Sequence, residues 1–140
     1  MQTKPRILVV DDESFYREVL ENLMRNDYQV VTAENGEQAL EIASQQPRPD
    51  LIILDVVMPG VDGYEVCRRL KADARTEAIP VIFLTVKSNV DDEVRGFNLG
   101  AVDYITKPMS PPIVMARVRT HLKLQLLHDQ LLQMIEQLKN

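Results

Sequence analysis

Four of the five short apolar runs in this chain end in, or lead straight into, a side chain that phosphate chemistry can use. Ile7-Leu8-Val9-Val10 runs into Asp11-Asp12, and Leu51-Ile52-Ile53-Leu54 stops on Asp55. Val81-Ile82-Phe83-Leu84 stops on Thr85, and the run around Tyr104-Ile105-Thr106 stops on Lys107. Buried strands that alternate with helices lie parallel, so their C-terminal ends gather along one edge of the sheet. Ligands of open α/β sheets bind at that edge, where the strand order reverses. Three carboxylates, a hydroxyl and an ammonium would meet in one crevice.

The segments between these runs carry the helical period. Phe15, Val19, Leu20, Leu23 and Met24 recur at helical spacing, and Gln29 to Ala33 reads as a second strand. Gly36 precedes a short helix carrying Ala39, Leu40 and Ala43, which Pro47 and Pro49 end. Gly63, Val66, Cys67 and Leu70 form the apolar face of a third helix, and Pro80 opens the fourth strand. Val90, Val94 and Phe97 line a fourth helix that Gly100 stops as a cap. Ser110-Pro111 is an N-cap and first-turn pair for the last helix. Right-handed crossovers then place helices on both faces of a five-stranded parallel sheet. At 140 residues the chain is one domain's worth.

The last helix is long for such a domain. From Pro111 to about Lys139 it would run ~29 residues, or roughly 43 Å at 1.5 Å per residue. Val114, Val118, Leu122 and Leu126 step by four along a face suited to docking on the sheet. Leu124, Leu127, Leu131, Met134 and Leu138 step by three and four along a different face, a heptad seam of just over two repeats. The expected division is residues 1–123 as the α/β domain and 124–140 as a helical extension of coiled-coil type, dimeric or domain-linking.

Charge and composition exclude several classes. Net charge is −5, which gives no electrostatic case for nucleic acid or an anionic membrane. The single cysteine, Cys67, rules out an internal disulfide and fits a reducing compartment. No stretch approaches the ~20 apolar residues of a membrane span. The N-terminal apolar run is too short for a signal peptide. The expectation is a soluble, cytoplasmic protein.

Crowded carboxylates repel each other unless a cation offsets their charge. Asp11, Asp12 and Asp55 therefore suggest a hard divalent ion, and Mg²⁺ fits an all-oxygen site that also takes phosphate. A carboxylate held beside such a metal is placed to act as a nucleophile toward phosphorus, and Asp55 is the candidate. Thr85 and Lys107 supply a hydroxyl and a cation for phosphoryl oxygens. Each residue alone has an ordinary use: a turn for Asp11-Asp12, a β-branched strand position for Thr85, a surface site for Lys107. An X-Pro bond such as Lys107-Pro108 at a tight turn can be cis.

Together these residues resemble the response-regulator receiver domain of two-component signalling. Val9-Val10-Asp11-Asp12-Glu13, Asp55 with Met58-Pro59-Gly60 and Asp62-Gly63, Leu84-Thr85, and Gly100-Ala101 through Asp103-Tyr104 to Lys107-Pro108 stand in that family's order and spacing. The likeness covers residues 5 to about 122. It implies a doubly wound, flavodoxin-like sheet of order 2-1-3-4-5. It also implies that Asp55 accepts a phosphoryl group from a phosphohistidine on a sensor kinase or phosphotransfer protein. Mg²⁺ would be held by Asp12, Asp55 and the backbone carbonyl of Val57, with Asp11 helping through water. Thr85 and Lys107 would contact the phosphoryl oxygens, and Thr85 with Tyr104 would switch the surface of the fourth helix, fifth strand and last helix. Through that face or the long helix the chain would form a homodimer or drive an output domain. No turnover of external substrate is implied beyond Mg²⁺-dependent self-phosphorylation and self-dephosphorylation.

Departures from the family pattern sharpen this. Val57 and Lys87 occupy positions that influence phosphate lifetime, and an apolar Val57 predicts slow self-dephosphorylation. Val102 stands where relatives often carry an acid, leaving Arg117, Arg119 and Asp103 as candidates for pairing across a dimer. Cys67 reads as core, and His121 and His128 as solvent-facing or dimer-flanking. The competing reading is an unphosphorylated receiver-like scaffold, which would be expected to lack the acids or the lysine. A haloacid-dehalogenase-type phosphatase would need an Asp where Val57 stands. The output is not legible: the chain reads equally as part of a longer protein or as a stand-alone regulator.

Overall fold

The computed structural model describes residues 3–86 and 90–139. Five parallel strands, β1 (Arg6–Val10), β2 (Gln29–Ala33), β3 (Leu51–Asp55), β4 (Val81–Thr85) and β5 (Asp103–Thr106), alternate with five helices. These are α1 (Ser14–Met24), α2 (Gly36–Ser44), α3 (Gly63–Ala72), α4 (Val90–Asn98) and α5 (Pro111–Lys139). The sheet order is β2-β1-β3-β4-β5, as the family likeness implied. Growth of the sheet reverses between β1 and β3, the two strands that lead into Asp11 and end on Asp55.

The two-residue period of the strands splits the core into two layers. Leu8, Val10, Ile52, Leu54 and Phe83 face one cluster, completed by Ala39 and Ala43 of α2 and by Val66, Cys67 and Leu70 of α3. Ile7, Val9, Leu51, Ile53, Ile82 and Leu84 face the other, closed by Leu20 and Met24 of α1 and Val114 and Val118 of α5. Fully burying one such side chain is worth about 1.5–3 kcal/mol. A change such as Phe83→Ala would cost about 3–5 kcal/mol through lost contacts and the cavity left behind.

The helix ends follow local chemistry. Asn35 and Asp62 accept hydrogen bonds from the Gln38 and Glu65 N–H groups (2.8 and 2.9 Å), capping α2 and α3. Gly36 is the first residue of α2. Gly100 ends the α4 segment at φ +106°, and the Ser110 carbonyl accepts the Val114 N–H (3.0 Å) at the start of α5.

Three expected core faces are corrected. Phe15 is exposed, because α1 meets the sheet through Leu20 and Met24, which lie about 140–180° around the helix from it. Val90 and Val94 of α4 also face outward, Phe97 is half exposed with one face against Tyr104, and the residue α4 buries is Gly96. Leu126 is exposed where α5 has passed the edge of the sheet, whereas Leu122 still packs on the core. The five seam residues Leu124, Leu127, Leu131, Met134 and Leu138 are all exposed, and α5 runs unbroken through residue 123.

Candidate functional site

Strand register brings the predicted residues together as a staircase. Val10 pairs with Leu54, so Asp11 comes level with Asp55. Asp55 pairs with Leu84, and Thr85 with Thr106, one residue before Lys107. Asp11, Asp55 and Lys107 continue the alternation of Val9, Ile53 and Ile105 toward the α1/α5 side. Thr85 and Tyr104 share the alternation of Phe83 and belong to the opposite face. Gly63 lets α3 begin hard against this edge. A Cβ there would stand 2.3 Å from the Asp55 carbonyl oxygen, and the Gly63 N–H donates to the Val56 carbonyl at 2.9 Å.

The site is a buried charge cluster. Asp11, Asp55, Thr85 and Lys107 are buried, while Asp12 is exposed at the rim. The Lys107 ammonium lies 2.8 Å from Asp11 Oδ2 and 3.5 Å from Asp55 Oδ2. Burial pushes the Asp55 carboxyl up to about 7, and the nearby Asp11 charge adds to this, with Lys107 acting against it. For Lys107 burial works against the charged form, but its bond to Asp11 and the charge of Asp55 outweigh it, so its pKa ends above the usual lysine value.

Sequence reasoning missed the supporting residues. The Tyr16 ring lies 4.1 Å beneath the Lys107 ammonium, a cation–π contact that holds the chain over the aspartates. The Glu13 N–H donates to Asp11 Oδ1 (2.9 Å), and Arg17 Nη1 donates to the Asp11 carbonyl (2.7 Å). Tyr16 and Arg17 follow Asp11 by five and six residues, so a helix starting at Ser14 was the available signal.

The residues present suit a divalent cation. Asp11, Asp12 and Asp55 each offer a carboxylate oxygen, and the three oxygens lie within 4.8 Å of one another. Asp11 Oδ2 is buried, with the Lys107 ammonium 2.8 Å away. An all-oxygen set of three crowded carboxylates matches the preference of Mg²⁺. Val57 lies in the following loop and is 69% exposed. Lys87 lies outside the described residues.

On the opposite face Tyr104 is turned inward. Its hydroxyl donates to the Asp92 carbonyl (2.6 Å), and its ring sits between Phe83 and Phe97, with centroids 5.6 and 5.4 Å away. Burial pushes its hydroxyl pKa up to about 12. The notch it fills is made by Gly96: a Cβ there would stand 2.0 Å from the Tyr104 hydroxyl and 2.8 Å from Phe83. Tyr64, at the start of α3, packs edge-on against Phe83 (5.3 Å), and Arg95 of α4 lies 4.2 Å over the Tyr64 ring. A contiguous aromatic layer therefore joins the beginning of α3, the C-terminal half of α4, β4 and β5.

The remaining singled-out residues sort plainly. Lys107-Pro108 is cis, as is Gln46-Pro47. Cys67 is buried, its thiol 3.5 Å from the Leu99 carbonyl. His121 is not solvent-facing: its Nε2 lies 2.9 Å from Asp103 Oδ2, because β5 begins beside that turn of α5. Arg117 lies 3.6 Å from Asp103 and donates to the Tyr104 carbonyl, so Asp103 already has partners within the chain. Arg119 and His128 are exposed.

The response regulator receiver domain family model matches residues 7–119. This chain belongs to that family. Among curated relatives it is 49% identical over 117 residues to the "Probable cyclic di-GMP phosphodiesterase" of Vibrio cholerae, covering 84% of this chain and 26% of that protein. It is 47% identical over 119 residues to the alkaline phosphatase synthesis transcriptional regulatory protein PhoP of Bacillus subtilis, covering 84% and 48%. The chain thus spans about half or less of the length of these relatives. Among solved structures, the receiver domain of a signal transduction histidine kinase from Syntrophus aciditrophicus is 40% identical with a TM-score of 0.76, covering 85% of this chain and 90% of that one. Chemotaxis protein CheY4 of Vibrio cholerae is 28% identical with a TM-score of 0.80, covering 84% and 98%. No helix among the described residues is long and apolar enough to cross a membrane.

Proposed function

We propose that this receiver domain is a phosphorylation switch in which Asp55 is the phosphoacceptor. The observation that carries this is the convergence of Asp11, Asp12 and Asp55 beside the buried Lys107 ammonium. A sensor kinase or phosphotransfer protein presents a phosphohistidine. An Asp55 carboxylate oxygen attacks phosphorus, the P–N bond breaks, and the imidazole leaves with a proton. Asp12, Asp55 and the Val57 carbonyl would hold Mg²⁺, with Asp11 acting through water; bound there, the ion neutralises phosphoryl charge. Lys107, already held by Asp11 and Tyr16, supplies a fixed positive charge to the phosphoryl oxygens, and Thr85 supplies a hydroxyl from the adjacent strand end.

The new charge is read across the sheet. A phosphoryl group adds about two negative charges and three acceptors at pH 7. Movement of Thr85 toward it acts on the face that holds Tyr104, and so on α4, β5 and α5. The output is a change in self-association or in an attached domain, transmitted through that surface and through residues 124–140 as a connector. The exposed seam from Leu124 to Leu138 is the homodimer contact.

The test is incubation with Mg²⁺ and a small phosphodonor, followed by a phosphate-affinity gel of wild type and Asp55→Asn. Wild type shifts and the variant does not; if both shift, or neither does, the assignment fails. Removing 124–140 should lower the mass in solution, and an unchanged mass would remove the seam as a contact.

A further inference from the structure

At the opposite edge of the sheet from the aspartates lies a cavity of about 730 Å³. Its walls are the N-terminal segment, the loop between α2 and β3, and the turns of α5 where that helix leaves the domain. The volume is within the range of small-molecule sites, about 300–1,000 Å³.

Its charge runs against that of the molecule. The chain carries −5, yet Lys4, Arg6, Arg48 and Lys123 all line this cavity. Among the described residues none of the four is in an ion pair within 4.0 Å, although Arg48 lies near enough to Asp73 to lower its pKa. The two lining acids are already engaged: Asp50 accepts the Arg6 N–H (2.7 Å), and Asp129 accepts from Gln125 (3.1 Å). The Nε atoms of Arg6 and Arg48 are buried with no hydrogen-bond partner. A buried donor left unpaired is costly and calls for an acceptor.

We propose that this basic cavity binds a phosphate-bearing small molecule of nucleotide size. Guanidinium forks match phosphate oxygens in pairs, and two half-buried arginines with no ion-pair partner among the described residues line adjoining walls. Pro47, Pro49 and Leu126 add an apolar wall for a flat base. The ligand touches the domain and α5 at once, so it braces the helical extension. It enters far from Asp55 and stands independently of the phosphorylation switch.

The test is titration calorimetry of the full chain in metal-free buffer with ATP, pyrophosphate and adenosine. Amide exchange of residues 122–129 is followed alongside. ATP and pyrophosphate should bind, adenosine should bind at least ~10-fold more weakly, and exchange should slow with ATP. Arg6→Gln and Arg48→Gln should each weaken ATP by ~10-fold or more, the usual loss for a charge-assisted hydrogen bond, while Arg68→Gln, outside the cavity and paired with Glu65, leaves it unchanged. If Arg6→Gln does not fold, Arg48→Gln carries the result. The proposal is overturned by absence of ATP binding to millimolar concentration, by adenosine binding as well as ATP, or by Arg48→Gln binding like wild type.

Discussion

The aspartate edge and the far half of α5 depart from ordinary burial in opposite directions. At the edge, two carboxylates and a lysine lie inside the protein, each at most 6% exposed. Beyond Leu122, five leucines, a methionine and an isoleucine between positions 126 and 138, with Leu124 before them, lie in solvent, 42–85% exposed. Charges are rarely buried unless paired, and large apolar patches are rarely left open unless they meet something. At the edge the buried acids have a lysine ammonium beside them, whereas along the far half of α5 the apolar side chains face solvent. The difference lies in the energy of each: the edge costs the domain stability, and the helix costs it almost nothing.

That contrast can be broken at its strongest point with Lys107→Met, which leaves Asp11 and Asp55 buried without their cation. We expect a loss of about 3–5 kcal/mol by urea unfolding at neutral pH, partly restored by Mg²⁺. A loss within ~0.5 kcal/mol would show that the acids are not relying on the lysine.

The second test uses the raised Asp55 pKa. The folded state holds this proton to about pH 7, whereas the unfolded chain releases it near 3.8. Stability therefore falls as pH rises between those values, and the penalty is complete above about 7. In metal-free buffer Asp55→Asn should gain about 2–3 kcal/mol at pH 8 and nothing below pH 4, read from urea midpoints. A gain that persists at pH 3.5 would point to a packing effect instead.

Gly96→Ala tests the uncharged face next to the site. The added methyl group collides with Tyr104, at a cost of about 1–3 kcal/mol. Expelling the ring should bring the tyrosine titration near 12 down toward 10, followed by ultraviolet absorbance. In a Tyr104→Ala background the same substitution should cost much less.

The smallest effect belongs to the helix. Leu131→Gln should change the stability of the isolated fold by no more than about 0.5 kcal/mol, as for most surface changes. It should still lower self-association in sedimentation. A large drop in stability would mean that the seam packs within the chain.

Much of the fold was legible because both periods are written in the residues. Apolar runs of four ending at Asp55 and Thr85, with helical spacing between them, determine parallel strands and gather those endings on one edge. The alternation along each strand determines that Asp55 and Lys107 point to one side and Thr85 and Tyr104 to the other. The exposed seam of α5 was readable for the same reason. Where the reading failed, the cause was rotation of a helix. Helical spacing places Phe15 and the stripe of Val90, Val94 and Phe97 on an apolar face, but spacing alone does not say which stripe meets the sheet. Tertiary packing chose Leu20 and Met24 for α1, and for α4 it chose Gly96, whose missing side chain admits Tyr104.

The sequence by itself determined which side chains reach the aspartate edge, since a strand's period and its end are local properties. Only the tertiary structure decided that Lys107 rests on Tyr16, that Asp11 is buried while Asp12 is not, and that four cationic side chains gather around one cavity at the far end. Those depend on distances between segments that the chain brings together only when both layers of the core close.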